Sequence, residues 1–169
     1  MTTPPLTLVA WTSSGVDGGY RAERALAHAA VDVTVGDGAV VAWPSTRAKP
    51  LVRDLQSVAR TATVATAFWG MLLGSVFFVP ELVALGGSLG GNGEIADDAG
   101  PLRAVGVSDA FVANVRHTVV PGTSALLVLV TESQDAQVAT VLGPWAAGRI
   151  DVSLSELQTS VLRRVFHDS

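Results

Sequence analysis

Residues 68–91 read FWGMLLGSVFFVPELVALGGSLGG, which combines a long apolar run with repeated glycines and a central proline. The twenty residues from Thr61 to Pro80 carry no charge. At about 1.5 Å per residue, a helix of that length would just cross a hydrocarbon core of about 30 Å. The ten residues Leu82–Gly91 are too short to cross back. An integral membrane protein with one span at 61–80 is therefore one interpretation, but it would separate the two halves of the chain.

A second regularity of this stretch is a series of small residues spaced by four. A helix with such a series has a flat face, which another helix backbone can approach closely to gain dispersion contacts. Pro80 interrupts the helix and permits a turn. The sequence therefore predicts a helical hairpin over about 61–93, with one small-residue face and one bulky apolar face. The residues predicted to form a contact between copies of the chain are Ala62, Thr66, Gly70, Gly74, Gly86, Gly90, Phe68, Trp69, Phe77 and Phe78.

Charge sets this region apart from the rest of the chain. Residues 61–100 contain no Lys or Arg, whereas the flanking segments carry all eleven. We therefore interpret the chain as a single domain, 1–169, of mixed helix and strand with an inserted apolar element. The helix pair could fold onto the sheet of its own domain, or it could join copies of the protein in water or at a membrane surface. The sequence favours self-association.

Composition supports the same class of protein. Apolar residues make up 49% of the chain and charged residues 15%, against roughly 25% charged in an ordinary soluble domain. Apolar surface left over from a core usually meets a partner or a membrane. The net charge of −4 without a basic cluster argues against nucleic acid. The N-terminus does not resemble a secretory signal, so we expect a cytoplasmic protein, peripheral at the inner face of the cell membrane.

The part before the insertion predicts a β-α-β-β unit. Leu6–Thr12 is short, apolar and β-prone, and a glycine-rich loop follows it. Residues 20–30 show one apolar helical stripe, with Glu23 predicted on the outer face. The next two strands, Ala39–Trp43 and Lys49–Leu55, are predicted to form a hairpin.

The part after the insertion alternates helices and strands. Ser108 and Ser133 are predicted to be the N-cap residues of two successive helices. Ala125–Thr131 is predicted as a buried strand between those helices, and Gly148–Val152 as the last strand.

The last helix has the clearest predicted start. Ser153 and Glu156 have the spacing of a capping box, in which a hydroxyl and a carboxylate each satisfy a backbone N–H group of the first turn. Leu157 and Leu162 are then predicted to face the core.

Four segments resemble the bacterial domain-of-unknown-function family 1269, whose members are described as glycine-zipper, membrane-associated or stress-related proteins. They are FWGMLLGSVFF at 68–78, GVSDAFV at 106–112, VVPGTSALLVLV at 119–130 and DVSLSELQTSVLRR at 151–164. The resemblance implies a ferredoxin-like α+β sheet with an inserted glycine-zipper helical hairpin. It implies no catalytic residues.

No arrangement of residues in the sequence indicates an enzyme. His28, His117 and His167 lie far apart, and none has an acidic residue or second histidine at metal-ligand spacing. The sequence therefore predicts a non-enzymatic, self-associating protein with no cofactor and no metal, whose partners are itself and membrane lipid.

The alternative is a small-molecule-binding ferredoxin-like module or an enzyme. In that interpretation Trp11, Trp43 and Trp145 would line a pocket between the sheet and its helices.

Overall fold

The computed structural model describes residues 5–28, 37–54, 66–77, 100–143 and 146–166. Within these ranges the strands are β1 (Thr7–Ser13), β2 (Asp37–Ala42), β3 (Leu51–Asp54), β4 (Ser124–Val130) and β5 (Gly148–Ser153). The helices are α1 (Gly18–His28), α2 (Thr66–Phe77), α3 (Gly100–Ala104), α4 (Asp109–Thr118), α5 (Glu132–Leu142) and α6 (Glu156–Phe166). The predicted α+β class is confirmed.

The strands form one antiparallel sheet in the order β3-β2-β4-β1-β5. β4 lies at the centre, with Val128 opposite Val9 of β1 and Gly38 of β2. Every residue of β4 is buried, which explains why the strand is continuously apolar from Ala125 to Val130 rather than alternating. The predicted hairpin is confirmed, because β2 and β3 pair with Val41 opposite Val52.

Helices cover both faces of the sheet. Alternate strand residues point to opposite faces, so the sheet contributes to two separate cores. Val9 and Leu126 belong to the core between the sheet and α1 and α5. Leu8 and Leu127 belong to the core on the other face, which α2, α4 and α6 cover. The insertion therefore contributes one of the helices of this second layer.

The prediction that Glu23 lies on the exposed face of the first helix is wrong. Glu23 is only 4% exposed, although the apolar stripe alone would place it in water. α1 contacts α5 as well as β2 and β4, so more than one side of this helix is covered.

Two of the three predicted N-caps are displaced by two residues. Ser108 caps α4 as predicted, since its hydroxyl accepts a hydrogen bond from the N–H of Phe111 at 3.1 Å. α5 is capped by Thr131 and not by Ser133, because Thr131 and Gln134 form a complete capping box.

The last helix is capped by Ser155 and not by Ser153. Gln158 N–H donates to Ser155 Oγ at 3.0 Å, and Ser155 N–H donates to Gln158 Oε1 at 2.9 Å. Ser153 is still paired with Thr7 in the sheet and cannot begin a helix. Leu157, predicted to face the core, is 73% exposed, whereas Leu162 is buried as predicted.

α2 is the described part of the predicted insertion. Residues 61–65 and 78–93 lie outside the described residues, so the second arm of the predicted hairpin and the zipper as a whole stay predictions. In the part of the chain that the structure describes, no helix has the length and apolar character needed to cross a bilayer.

Candidate functional site

α2 is a charge-free helix that is buried on nearly all sides. Its sequence, TAFWGMLLGSVF, has apolar or small residues at every turn. A helix that is apolar all round is typical of an internal position. The structure places it there, against the sheet and in contact with α4 and α6. The buried residues of this helix are Phe68, Trp69, Met71, Leu72, Leu73, Gly74 and Val76.

The small-residue face of α2 is in contact with other parts of the protein at Gly74. This residue is buried although it has no side chain, so neighbouring atoms come close to the helix backbone there. Close backbone approach is the use expected for small residues spaced by four on a helix.

Arg116 of α4 binds the C-terminal end of α2. Its Nε donates to the carbonyl of Val76 at 2.9 Å, and its Nη2 donates to the carbonyl of Ser75 at 3.1 Å. The last carbonyls of a helix have no partner within the helix and carry the negative end of its dipole. A half-buried guanidinium therefore suits both the hydrogen bonding and the charge of this helix end.

A ring contact fixes the same end of α2 to the sheet. Phe77 meets Trp43 edge to face, with ring centroids 5.6 Å apart and an interplanar angle of 88°. Trp43 follows directly after β2, and its indole N–H donates to the carbonyl of Arg47 at 3.0 Å. The chain therefore leaves α2 beside the end of β2.

Four of the predicted contact residues are covered, wholly or partly, by their own protomer. Phe68, Trp69 and Gly74 are buried, and Phe77 is half-buried. Thr66 and Gly70 are also residues of α2. Ala62, Phe78, Gly86 and Gly90 lie outside the described residues. A contact between copies of the chain stays a prediction.

A second polar arrangement joins β5 to α5. Both terminal nitrogens of Arg149 bind the carboxylate of Asp135 at 2.7 Å, and Arg149 Nε binds Asp151 Oδ2 at 2.7 Å. The guanidinium also stacks over Trp11, with its carbon 5.2 Å from the ring centroid. The hydrogen bonds that Arg149 donates to Asp135 raise the pKa of Arg149 and burial opposes them, so the guanidinium stays charged.

This arrangement is a structural link and not an anion-binding site. Two carboxylates already neutralise the one guanidinium, and the cleft of about 360 Å³ beside it is also lined by Glu132. An anionic ligand would therefore meet a net negative charge.

The tryptophans proposed for a common pocket are not brought together. Trp11 belongs to the core under α1 and α5, whereas Trp43 contacts Phe77 of α2 on the opposite face of the sheet. Trp145 lies outside the described residues. The pocket predicted from Trp11 and Trp43 is therefore wrong.

Among the described residues, no group of three His, Cys, Asp or Glu side chains is placed to hold a metal ion. His28 and His117 are exposed on two different helices, and His167 lies outside the described ranges. Ser124 has a structural role, because its buried hydroxyl donates to the carbonyl of Gly15 at 2.6 Å and accepts from the N–H of Gly19 at 2.8 Å.

Arg116, Arg149 and Asp135 are the residues that sequence reasoning missed. Arg116 binds carbonyls 40 and 41 positions away, and Arg149 binds a carboxylate 14 positions away. No spacing in the sequence signals such pairs, because they depend on how the elements pack.

One family model matches the chain. It is described as a protein of unknown function, DUF1269, and it matches residues 63–167, which include every described element from α2 to α6. No curated protein and no solved structure matches the chain.

Proposed function

Because this chain belongs to the DUF1269 family, whose function is unknown, we propose a function on structural grounds. The protein is a non-enzymatic protein that associates with copies of itself through its apolar insertion, residues 61–93. In cells this assembly rests at the inner face of the cytoplasmic membrane.

The observation that carries the proposal is the way in which α2 is held. Its end is bonded by Arg116 and packed on Trp43, and its residues are buried against the sheet. α2 therefore has a fixed position in the protomer. A contact that starts from a fixed helix loses less conformational freedom on association than a contact made by a free chain, which favours binding.

The small-residue spacing supports the same proposal. Gly74 is buried in the protomer, so one member of the series takes part in close packing. Gly86 and Gly90 repeat the spacing. We expect them to provide the flat surface on which the insertion of a second copy packs.

A ferredoxin-like core is part of the proposal. Strands β2, β4, β1 and β5 are neighbours in that order, and α1 and α5 cover one face. Two interleaved β-α-β units, β1-α1-β2 and β4-α5-β5, account for this arrangement. The insertion and β3 then fall between the two units.

The test replaces the small residues that lie beyond the core helix. Gly86→Leu with Gly90→Leu is expected to lower the mass measured by light scattering in buffer, because bulky side chains separate the packed backbones. Gly87→Leu with Gly91→Leu is the matched control, since it adds the same volume one position further along.

Circular dichroism checks that both double variants are folded. An assembly whose mass is the same in the first variant, the control and the parent protein would contradict the proposal. So would a parent protein that remains a 17.4 kDa particle. Membrane association is tested separately by carbonate extraction, which releases a peripheral assembly.

A further inference from the structure

β5 forms one edge of the sheet. Among the described residues its strand partner is β1 alone, which pairs with it from Gly148 to Ser153. Burial alternates along the strand between half-buried and exposed residues. An edge strand presents a row of backbone groups that another strand can pair with.

The direction of these backbone groups follows from the ladder. Leu154 N–H donates to the carbonyl of Leu6 at 2.9 Å. Because hydrogen-bonded and non-hydrogen-bonded pairs alternate in an antiparallel ladder, Val152 and Ile150 direct their backbone groups towards β1. Arg149 and Asp151 direct theirs away from β1, to the side on which no described strand pairs with β5.

The charged and the apolar side chains of β5 lie on opposite faces of the sheet. Arg149 lies opposite Trp11 and Asp151 lies opposite Val9, so both are on the face that α1 and α5 cover. Ile150 and Val152 pack against the core on the other face. The edge therefore has a charged side with one cation and one anion, and an apolar side.

We propose that two copies of the chain pair antiparallel along β5, about a two-fold axis at Ile150, to form one continuous sheet. In this register Arg149 lies opposite Asp151 of the second copy, and the same pair repeats across the axis. Each such pair exchanges two backbone hydrogen bonds, about four in all. Opposite charges on facing strands favour pairing.

Charge also selects this register over its neighbours. The outward backbone groups belong to odd-numbered residues, so a two-fold contact must set odd positions against odd ones. A register centred on Asp151 would place two aspartates opposite each other, which is destabilising. Charges on an edge strand usually prevent pairing, whereas here the strand is complementary to itself.

The bonds of Arg149 within the protomer are compatible with this contact. The two bonds to Asp135 hold the guanidinium on the α5 side. The Asp151 side chain is 45% exposed, so its carboxylate can also accept from Arg149 of the second copy. Asp151→Arg is expected to weaken association through β5 about tenfold, because it sets cation against cation.

This contact is separate from the one proposed for the insertion, and a single cysteine distinguishes them. The chain has no cysteine. Ile150→Cys places two thiols in a non-hydrogen-bonded pair, where the Cα atoms are about 4.5 Å apart, within the range that a disulfide spans. Val152→Cys is the matched control, because its two copies would lie about 13 Å apart along the strands.

Under mild oxidation Ile150→Cys is expected to give a covalent dimer on a non-reducing gel, and Val152→Cys is not. The same result is expected when Gly86→Leu and Gly90→Leu are also present, so failure of the insertion contact leaves this test intact. Equal cross-linking of both cysteine variants, or of neither, would overturn the β5 contact. Unfolding curves of the reduced variants check that both are folded.

Discussion

Arg116 illustrates how one side chain can decide the position of a helix. Its guanidinium is half-buried and donates to two carbonyls at the end of α2. Without it those half-buried carbonyls would lose both hydrogen bonds, and the helix dipole would lose the positive charge of the guanidinium.

Arg116→Met is therefore expected to lower the free energy of unfolding by about 1.5–3 kcal/mol, the usual range for hydrogen bonds to a charged group. Urea denaturation followed by circular dichroism measures the change. Arg103→Met is the control, because the pair that Arg103 forms with Asp109 is largely exposed and contributes about 0–1 kcal/mol. Equal losses in the two variants would show that Arg116 does not hold α2.

The start of α6 shows that strand pairing can decide where a helix begins. Both Ser153 and Ser155 precede a suitable partner three residues later, Glu156 and Gln158. The sheet decides between them, because β5 pairs with β1 through Ser153 and the N–H of Leu154 also bonds to Leu6, the residue before β1. The helix begins at Glu156, after the strand has ended.

Ser155→Ala is expected to lower the free energy of unfolding by about 1 kcal/mol, since it removes an N-cap hydroxyl. Ser153→Ala is expected to change it by less than about 0.5 kcal/mol, because that residue is exposed at a strand end. Thermal or urea unfolding of the two variants gives the comparison. A larger loss of unfolding free energy in Ser153→Ala than in Ser155→Ala would place the cap at Ser153.

The start of α6 also shows which parts of the fold can be predicted from the sequence and which cannot. The positions of the strands and of the helices other than α3 were predictable because hydrophobic periodicity is local. The cap of α6 was displaced because pairing with β1, more than a hundred residues away, extends β5 through Ser153. The cap of α5 was displaced the other way, to Thr131, which directly follows β4 and forms a capping box with Gln134. Leu157 was misplaced together with its cap. The order of the strands and the bonds of Arg116 and Arg149 depend on packing between distant segments, which periodicity does not contain.

At the scale of the whole molecule, the proposed contacts involve different parts of the protomer. The β5 contact lies at one edge of the sheet, and the other contact belongs to the insertion. The β5 contact is proposed to join two copies about a two-fold axis, and we propose the same symmetry for the insertion contact. A protomer with two different two-fold contacts forms a closed tetramer or a longer assembly.

The parent protein is therefore expected to form particles larger than a dimer at concentrations where both contacts are occupied. At concentrations near the dissociation constant of the β5 contact, Asp151→Arg alone should shift the particles towards dimers, and Gly86→Leu with Gly90→Leu alone should leave dimers. The three substitutions together should give monomers of 17.4 kDa. Sedimentation velocity resolves these species. Monomers in either partial set would mean that one of the two contacts does not exist.

The place of β1 in the sheet has a consequence for biosynthesis. Among the described strands, β1 pairs with β4 and β5, and it leaves the ribosome well before either of them. At about 5–20 residues per second, the 110 residues between β1 and β4 take roughly 6–20 s to translate. In the later part of that interval the apolar α2 has been made but the central strand of its sheet has not, so we expect the nascent chain to bind a chaperone that recognises exposed apolar segments.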